Sequence, residues 1–393
     1  MNKVLALIIC NVLLILLIFG FLLNDLLENE NKNGLLQNSL INVIDLGADP
    51  NGDTDSTRAF QDAINLAGKS KGIVFIPKGK YILSQIKIPS YVELLGTGND
   101  TVLRMKENNN KALIVLKSKV TQMVHLRDFM IDGNRKNQTS TEARGIEFIN
   151  TSDSVKMRES SKVGEHDARH LIENVYISET KGDGLYIEGR GESRIKNVQT
   201  MRTDGVGIYS NAFDNWFTDC STGASGLDGI YIGNLSANSR FVNCKSWFSG
   251  RINPERGNGY FINANRITIT GSEAQDNSKY GFVFAANDII GSGLMAEANG
   301  WHANKIRPDG TGFVLYGSKN CNIQGVAADR FKNIKSHQTY ALQFLEDPKG
   351  NFVQISSEGM RLGALPTLNI KNNKVMIIET RSDGSVNNFQ NFN

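Results

Sequence analysis

The chain has 393 residues, of which 38 are glycine and only 7 are proline. Hydrophobic residues make up 40% and charged residues 21%. This balance supports a sizeable buried core and excludes disordered, collagen-like and low-complexity classes. Many glycines with few prolines favour strands joined by turns, because glycine adopts positive φ cheaply and proline interrupts strand ladders. The net charge of +3 is too small to favour nucleic acid as a partner.

The first predicted element is an uncharged segment at residues 4–23, VLALIICNVLLILLIFGFLL. At 1.5 Å per residue it spans about 30 Å, the thickness of a bilayer core. Lys3 precedes it and acidic residues follow, so we expect residues 1–24 to form a cytoplasmic tip and a transmembrane signal-anchor. A cleaved signal peptide is the competing interpretation, but its apolar stretch is usually shorter. The chain is then a single-pass protein of the cell membrane, with a linker at 25–41 and an extracytoplasmic domain at 42–393.

An amphipathic helix is predicted next, within DTDSTRAFQDAINLA at residues 53–67. Thr54, Asp55 or Ser56 can cap its amino terminus. One face of the helix is apolar, through Ala59, Phe60, Ala63, Ile64 and Ala67. Short strands follow at residues 73–76, 81–83, 86–88 and 92–95, and we expect the helix to cover the open end of the strand array.

Two columns of residues then repeat along the chain with a period near 22. Short apolar strands recur behind a column of glycines at Gly145, Gly184, Gly205, Gly229, Gly259, Gly281 and Gly312. A second column contains Asn174, Asn197, Asp219 and Asn243, continued by Gly271, Gly293 and Gly325. This period with short strands predicts an all-β fold, a parallel β-helix in which each coil pairs with the next about 4.8 Å away.

Side chains at equivalent positions stack in such a solenoid. The asparagine column therefore predicts a ladder in a turn. Cys220 and Cys244 occupy adjacent rungs beside the apolar core. We expect stacked thiols there, with a disulfide as the alternative that side chains stacked in parallel suit poorly.

The segment from VIDLGADPNGDTDSTRAFQDAI through GIVFIPKGKYIL to IKIPSYVELLGTG resembles the opening of the pectate lyase superfamily. Leu46 stands where that family usually has phenylalanine, and FMIDGN at 129–134 continues the resemblance. The resemblance implies a right-handed parallel β-helix with an amino-terminal capping helix. It does not imply one reaction, because the superfamily is similar in fold across lyases, hydrolases, epimerases and phage tailspikes.

Loop lengths between the two columns predict a cleft. Three rungs are short, with 9, 7 and 9 residues from Val175, Val198 and Cys220 to the next column glycine. Longer loops flank them, and the groove between spans roughly 15 to 20 Å, enough for three or four sugars. We expect Arg135, Lys136 and Arg144 on one wall and Glu255 on the other. Residues expected to bind substrate on and beyond that second wall are Arg251, Arg256, Asn258, Tyr280, Trp301, His302 and Arg307, with Lys305 beside them.

Asp183, Asp204 and Asp228 each precede a glycine of the column on a short rung, so we expect them to stack about 5 Å apart as catalytic residues. Each alone is also a common turn residue. Three stacked carboxylates repel one another unless a cation or shared proton relieves them. Such a cluster suits glycoside hydrolysis, a calcium site that binds uronate, or β-elimination.

Two families within this fold offer partial motif matches. Thr203-Asp204-Gly205 and Asp228-Gly229 resemble the polygalacturonase motifs, with one aspartate missing, and Gly257-Asn258-Gly259 stands in place of Gly-His-Gly. Tyr280-Gly281-Phe282 is similar to the start of the uronate epimerase motif, but no Asp-Pro-His follows. The resemblance implies acid or base roles for Asp204 and Asp228.

The leading hypothesis is a membrane-anchored enzyme that cleaves glycosidic bonds of a polysaccharide by hydrolysis or elimination. Basic residues on the walls favour an acidic glycan. The alternatives are a uronate epimerase and a non-catalytic protein that binds glycan, both compatible with the incomplete catalytic pattern.

Overall fold

The computed structural model describes Gly20 and residues 40–150, 167–302, 305–331, 336–365, 372–380 and 385–392. The anchor predicted at residues 4–23 lies outside these parts of the chain, Gly20 apart. Within the described ranges, no helix is long and apolar enough to cross a membrane.

The strands wind into a parallel β-helix with three faces, as the repeats predict. The first two faces form one continuous sheet. Its strands are Leu40–Asn42, Ile73–Phe75, Gly79–Leu83, Glu93–Leu95, Thr101–Met105, His125–Asp132, Leu171–Ser178, Arg194–Met201, Trp216–Thr218, Ser221–Gly223, Arg240–Val242, Lys245–Trp247, Thr268–Thr270, Glu273–Gln275, Ile290–Glu297, Asn322–Ala328, Phe352–Glu358, Lys374–Thr380 and Val386–Phe392.

The third face is a separate parallel sheet. Its strands are Ile86–Ile88, Ile114–Leu116, Ile146–Ile149, Leu185–Gly189, Ile208–Ala212, Ile230–Ile232, Tyr260–Ile262, Tyr280–Phe284, Thr311–Tyr316 and Tyr340–Leu345. Each strand pairs with its equivalent in the next coil, so residues of one column lie side by side along the helix axis.

Two strand pairs in the described chain are antiparallel. Val386–Phe392 returns along Lys374–Thr380 at the last coil. Trp301–His302 pairs with Lys305–Ile306 as a small hairpin. Three short 3-10 helices complete the elements, at Val43–Leu46, Arg135–Asn137 and Pro254–Arg256.

The predicted amphipathic helix forms at Thr57–Ser70, which we call α1. Its five predicted apolar residues are all buried, and the Phe60 ring contacts Tyr81 edge-on with centroids 5.2 Å apart. The Asp55 carboxylate accepts a hydrogen bond from the Thr57 backbone N at 2.9 Å, so it satisfies a donor in the first turn. The helix packs against Leu40–Asn42, Ile73–Phe75 and Ile86–Ile88, the first strands of the solenoid.

The core is built from stacks of like side chains. Ile172, Ile195, Phe217 and Phe241 lie in one column, and the two phenylalanine rings stack with centroids 4.5 Å apart. Burying each such ring contributes about 2 kcal/mol. Cys220 and its neighbour in the next coil are free, buried thiols, as expected, and burial raises the pKa of Cys220.

The asparagine column lies at the bend between the first and second faces. Asn174, Asn197 and Asn243 have φ of 55°, 49° and 53°, the left-handed region that asparagine, aspartate and glycine adopt most readily. The Asn197 Nδ2 donates to the Asn174 Oδ1 at 2.9 Å, which confirms the predicted ladder at this rung. Gly325 departs from the column. The strand register shifts between Gly291 and Leu294, and the φ of Gly325 is not positive.

The glycine column contains Gly207, so its predicted member Gly205 is wrong. Ile208 pairs with Leu185 on one side and with Ile230 on the other, which aligns Gly207 with Gly184 and Gly229. All three short rungs therefore have equal length. The sequence reads Asp-Gly-Val-Gly here, so two glycines fit the pattern, and the strand pairing selects the second.

Candidate functional site

The corrected register changes which residues precede the column glycines. In four successive coils this position is occupied by Asp183, Val206, Asp228 and Asn258. The backbone N of the glycine that follows each of the first three donates to the carbonyl of the residue at this position in the next coil. Asp204 is therefore not stacked between Asp183 and Asp228, contrary to the prediction. Two carboxylates remain in the column, separated by the apolar Val206.

Asp204 lies instead in register with Lys181 and at the centre of a cluster of cations. Its carboxylate contacts Arg135 at 3.1 Å, Lys181 at 3.0 Å and Arg251 at 2.6 Å, and its side chain is only 8% exposed. Burial alone would raise the pKa of Asp204, but hydrogen bonds from Arg251 and Lys181 and the charge of Arg135 lower it overall. A carboxylate held in this way is ionised at neutral pH and joins the two predicted walls.

Asp228 lies at the floor of a cavity on the third face and is 2% exposed. Its Oδ1 accepts hydrogen bonds from the backbone N and the Nδ2 of Asn258, at 3.0 and 2.8 Å. Arg256 contacts its Oδ2 at 3.3 Å. Burial raises the pKa of Asp228, although Asn258 and Arg256 both oppose the shift.

The cavity above Asp228 has a volume of about 490 Å³. Its polar residues besides Asp228 are Glu255, Arg256, Asn258, Lys279 and Tyr280, and its apolar surface comes from Tyr231, Phe261, Val283, Tyr316 and Leu345. An aromatic and aliphatic lining with a few convergent polar groups is typical of ligand sites. Of the predicted site residues, the structure therefore brings together Asp228, Arg256, Asn258 and Tyr280.

Glu255 is the second carboxylate of this cavity. It belongs to the 3-10 helix Pro254–Arg256 and is held by Arg307 at 2.7 Å and Lys279 at 3.2 Å. Its side chain is 62% exposed. Hydrogen bonds from Arg307 and Lys279 lower the pKa of Glu255, whereas burial raises the pKa of Asp228.

Tyr280, which lines the cavity, and Arg307 both contact Asp309. Burial, together with the nearby Asp309, raises the pKa of Tyr280 to about 12. Arg307 contacts Asp309 at 3.1 Å and also bonds to Glu255. The Tyr280 hydroxyl is therefore protonated at neutral pH and acts as a hydrogen-bonding group.

Asp183 does not line this cavity. Its carboxylate accepts from the Val206 backbone N at 2.7 Å and contacts Arg144 at 3.1 Å. Burial raises the pKa of Asp183, as it does for Asp228. Arg144 is shared with Glu142 and Glu147, so this end of the third face is a compact ion-pair cluster.

An aromatic stack connects Asp183 to the cavity, and the sequence reasoning missed it. Tyr186, Tyr209, Tyr231 and Phe261 lie on the outer side of the third face, with successive centroids 4.5, 5.1 and 5.5 Å apart. Arg144 covers the outer ring of the stack at 4.4 Å. Each ring follows its column glycine by two residues, a signal that appears once the glycine register is correct.

Four predicted substrate-binding residues do not line the third-face cavity. One of them, Arg307, pairs with Glu255, which does line it. Arg251, Trp301 and His302 line a separate cavity of about 340 Å³ together with Phe248 and Asp276. Arg251 and Arg256 stand on the same wall loop, yet each belongs to a different cavity. The single groove predicted from loop lengths is thus divided.

No group of three or more histidine, cysteine, aspartate or glutamate side chains in the described ranges is arranged to hold a metal ion. The calcium site considered from the aspartate column therefore has no ligand set in these parts of the chain.

A family model described as rhamnogalacturonase A/epimerase, pectate lyase-like, matches residues 40–297. The chain belongs to this family. Membership agrees with the parallel β-helix and with the pectate lyase resemblance of the amino-terminal segment. The family description joins a hydrolase with an epimerase, so it leaves the reaction open.

Curated proteins match this chain over short segments. Alginate lyase 7 of Azotobacter vinelandii is 34% identical over 110 residues, covering 24% of this chain and 13% of the relative. A prophage-derived uncharacterised protein, YomE of Bacillus subtilis, is 30% identical over 166 residues, covering 40% of this chain and 24% of the relative. The chain thus spans a small part of the curated relatives it matches.

Among solved structures, the fold is similar to the A-module of the mannuronan C-5 epimerase AlgE6 of Azotobacter vinelandii. The TM-score is 0.62 at 17% identity, over 86% of this chain and 99% of the module. A similarity at this identity shows the fold alone.

Proposed function

We propose that this protein cleaves glycosidic bonds of an acidic polysaccharide in the third-face cavity. Asp228 acts as the general acid, and Glu255 acts as the base or nucleophile. The observation that carries the proposal is that these two carboxylates line one cavity while their pKa values are shifted in opposite directions. Such a divergence is the usual mark of an acid and base pair, and glycoside hydrolysis needs two carboxyl groups on either side of the bond.

The surroundings of Asp228 suit a proton donor. Because its Oδ1 accepts two hydrogen bonds from Asn258, the proton of the acid form belongs on Oδ2. Oδ2 is also the atom that faces Arg256. A sugar oxygen that receives this proton would leave Asp228 as an anion, which Arg256 then stabilises.

Asn258 also supports a sugar ligand. Its Oδ1 is buried and has no hydrogen-bond donor within the described part of the chain. A buried acceptor without a partner is costly, and a sugar hydroxyl from the cavity can supply the missing donor.

The charges around the cavity favour an acidic glycan. Arg256 and Lys279 both line it, and a guanidinium binds carboxylate well. Lys279 pairs with Glu255 at 3.2 Å, so Arg256 is the cation left for a sugar carboxylate when Asp228 is protonated. The relative named alginate lyase supports the same substrate class, because alginate is a polyuronate.

The experiment is to incubate the protein with polygalacturonate, alginate and a neutral glucan. Hydrolysis produces new reducing ends without absorbance near 235 nm, whereas elimination produces an unsaturated end that absorbs there. Epimerisation changes the uronate NMR spectrum without shortening the polymer. We expect new reducing ends from an acidic polymer, and their loss in Asp228→Asn. Shortening of only the neutral glucan would overturn the choice of substrate.

A non-catalytic glycan-binding protein is the second candidate. The observation that favours it is that both carboxylates already have protein partners, Asp228 with Asn258 and Arg256, and Glu255 with Lys279 and Arg307. In that case oligouronides bind to the wild-type protein, but their length and NMR spectrum stay unchanged after days of incubation.

Membrane attachment remains part of the proposal on sequence grounds. Residues 4–23 are uncharged and about 30 Å long as a helix. We expect the full chain to stay in the membrane fraction after alkaline carbonate extraction and a chain starting at residue 40 to be released. Release of both chains would show that residues 4–23 do not anchor the protein in the membrane.

A further inference from the structure

The cavity beside Trp301 has no role in the chemistry proposed above, yet it has the composition of a binding site. Phe248 and Trp301 line it at an interplanar angle of 61°, with ring centroids 6.3 Å apart. Phe248 is 43% exposed, so its ring is accessible to a ligand in this cavity. Arg251 and His302 add hydrogen-bonding groups around the rings.

Trp301 is held in a fixed orientation by neighbouring rings. It stacks on His337 with centroids 5.6 Å apart, and His337 stacks in turn on Phe331 at 4.0 Å. Arg330 covers Phe331 at 4.9 Å and forms an ion pair with Asp276 at 2.5 Å. A ring supported from behind in this way loses little conformational entropy when a ligand binds against it.

The hairpin that carries Trp301 is anchored to the core. Gly300 donates its backbone N to the Asn277 carbonyl at 2.7 Å, and Arg307 closes the base of the hairpin by donating to the Gly300 carbonyl at 2.8 Å. Asn299, just before the hairpin, exchanges side-chain hydrogen bonds with Asn277 and Gln338 inside the solenoid. The residues that lead into Trp301, Asn299 and Gly300, are therefore hydrogen-bonded to the solenoid.

The Trp301 cavity also lies within reach of the catalytic cavity. Arg251 lines the first and Arg256 the second, and five residues of chain span at most about 18 Å. A glycan of a few sugars is long enough to cover this distance. Each cavity contributes one arginine from the same wall loop to such a chain.

From the substrate class proposed above, we infer that the cavity formed by Phe248, Arg251, Trp301 and His302 is a second, non-catalytic glycan-binding site. The site holds a part of the acidic polysaccharide that is remote from the bond that is cleaved. Sugar rings pack their C–H faces against aromatic rings, and their carboxylates and hydroxyls bond to Arg251 and His302. The site lengthens the contact with the polymer and increases its residence time on the enzyme.

The test measures binding by calorimetry in the Asp228→Asn background, so that no probe is consumed. The probes are a trisaccharide and a decasaccharide prepared from polygalacturonate and from alginate. We expect Trp301→Ala to weaken decasaccharide binding about tenfold, and to change trisaccharide binding much less. Phe248→Ala, a truncation at an exposed ring, should reproduce the effect if Trp301→Ala folds poorly.

Phe352→Ala is the matched control, because Phe352 is a similarly exposed ring on a strand of the first sheet and lines neither cavity. Equal decasaccharide affinity in the Trp301, Phe248 and control variants would overturn the second site while leaving the proposed catalysis intact. Binding that depends on Trp301, without any turnover by the enzyme that retains Asp228, would support the second site and overturn the proposed catalysis. Absence of binding by all probes would overturn both.

Discussion

Asn258 donates two hydrogen bonds to the Asp228 carboxylate one coil before it, from its backbone N at 3.0 Å and its Nδ2 at 2.8 Å. Asp183 accepts one such bond from Val206, the residue in the same column one coil on. The same position in two coils therefore uses aspartate to satisfy the next coil. What distinguishes Asp228 is the cavity that opens above it.

The pH dependence of the reaction follows from the opposite shifts of its two carboxylates. Glu255 must be ionised, and its lowered pKa keeps it so down to acidic pH. Asp228 must be protonated, and its raised pKa extends the protonated fraction upward. We expect a bell-shaped profile of kcat/KM with an optimum below neutral pH. In Glu255→Gln the residual activity should lose its acidic limb, and an unchanged acidic limb would exclude Glu255 as the base.

Asp204 should stabilise the fold rather than the transition state. Replacing it by asparagine leaves Arg135, Lys181 and Arg251 without their shared anion, and we expect a loss of about 1–3 kcal/mol in the free energy of unfolding at pH 7. Because the folded pKa of Asp204 is lowered, its contribution is complete above the unfolded value, near 3.8, and is lost as pH falls through the folded value.

Thermal unfolding of wild type and Asp204→Asn from pH 7 down to pH 2 measures this contribution. The two melting temperatures should differ most at pH 7 and converge at the acidic end. Asp62→Asn is the control, since Asp62 pairs only with the exposed Arg58 at the helix surface. A variant at position 204 that melts like this control at pH 7 would show that the ion cluster adds nothing.

The asparagine column tests the backbone of the solenoid. Asn197 has a φ of 49° and bonds to Asn174. Asn197→Ala and Asn197→Gly both lose the hydrogen bond, but alanine also pays about 1 kcal/mol for the left-handed conformation. We therefore expect the alanine variant to melt about 1–2 °C below the glycine variant. Equal melting temperatures would mean that the bend relaxes without cost.

The fold could be predicted because its signals repeat. The left-handed bend selects asparagine, aspartate or glycine in the coils from Asn174 to Gly293, so the column at Asn174 and Asn197 is visible in the sequence itself. The apolar face of α1 is equally regular. Both signals come from the local backbone and from burial, so neither depends on how surface side chains pair between coils.

The site could be predicted only in part, for two physical reasons. Asp204 and Asp228 both precede glycines, but only hydrogen-bond pairing shows that Gly207, not Gly205, belongs to the column. Loop lengths locate a wall without giving the direction of its side chains, so Arg251 and Arg256 were assigned to one groove although they line two cavities.

The most direct measurement compares Asp228→Asn with Asp183→Asn on an acidic polymer that the wild type degrades. Both variants remove a buried carboxylate that holds the next coil and pairs with an arginine. They should therefore lose similar stability. Of the two, only Asp228 lines the cavity that we propose to be catalytic. We therefore predict that kcat falls at least about a hundredfold in Asp228→Asn and stays within a few-fold of wild type in Asp183→Asn. Similar rates in the two folded variants would contradict the assignment of Asp228 as the catalytic acid.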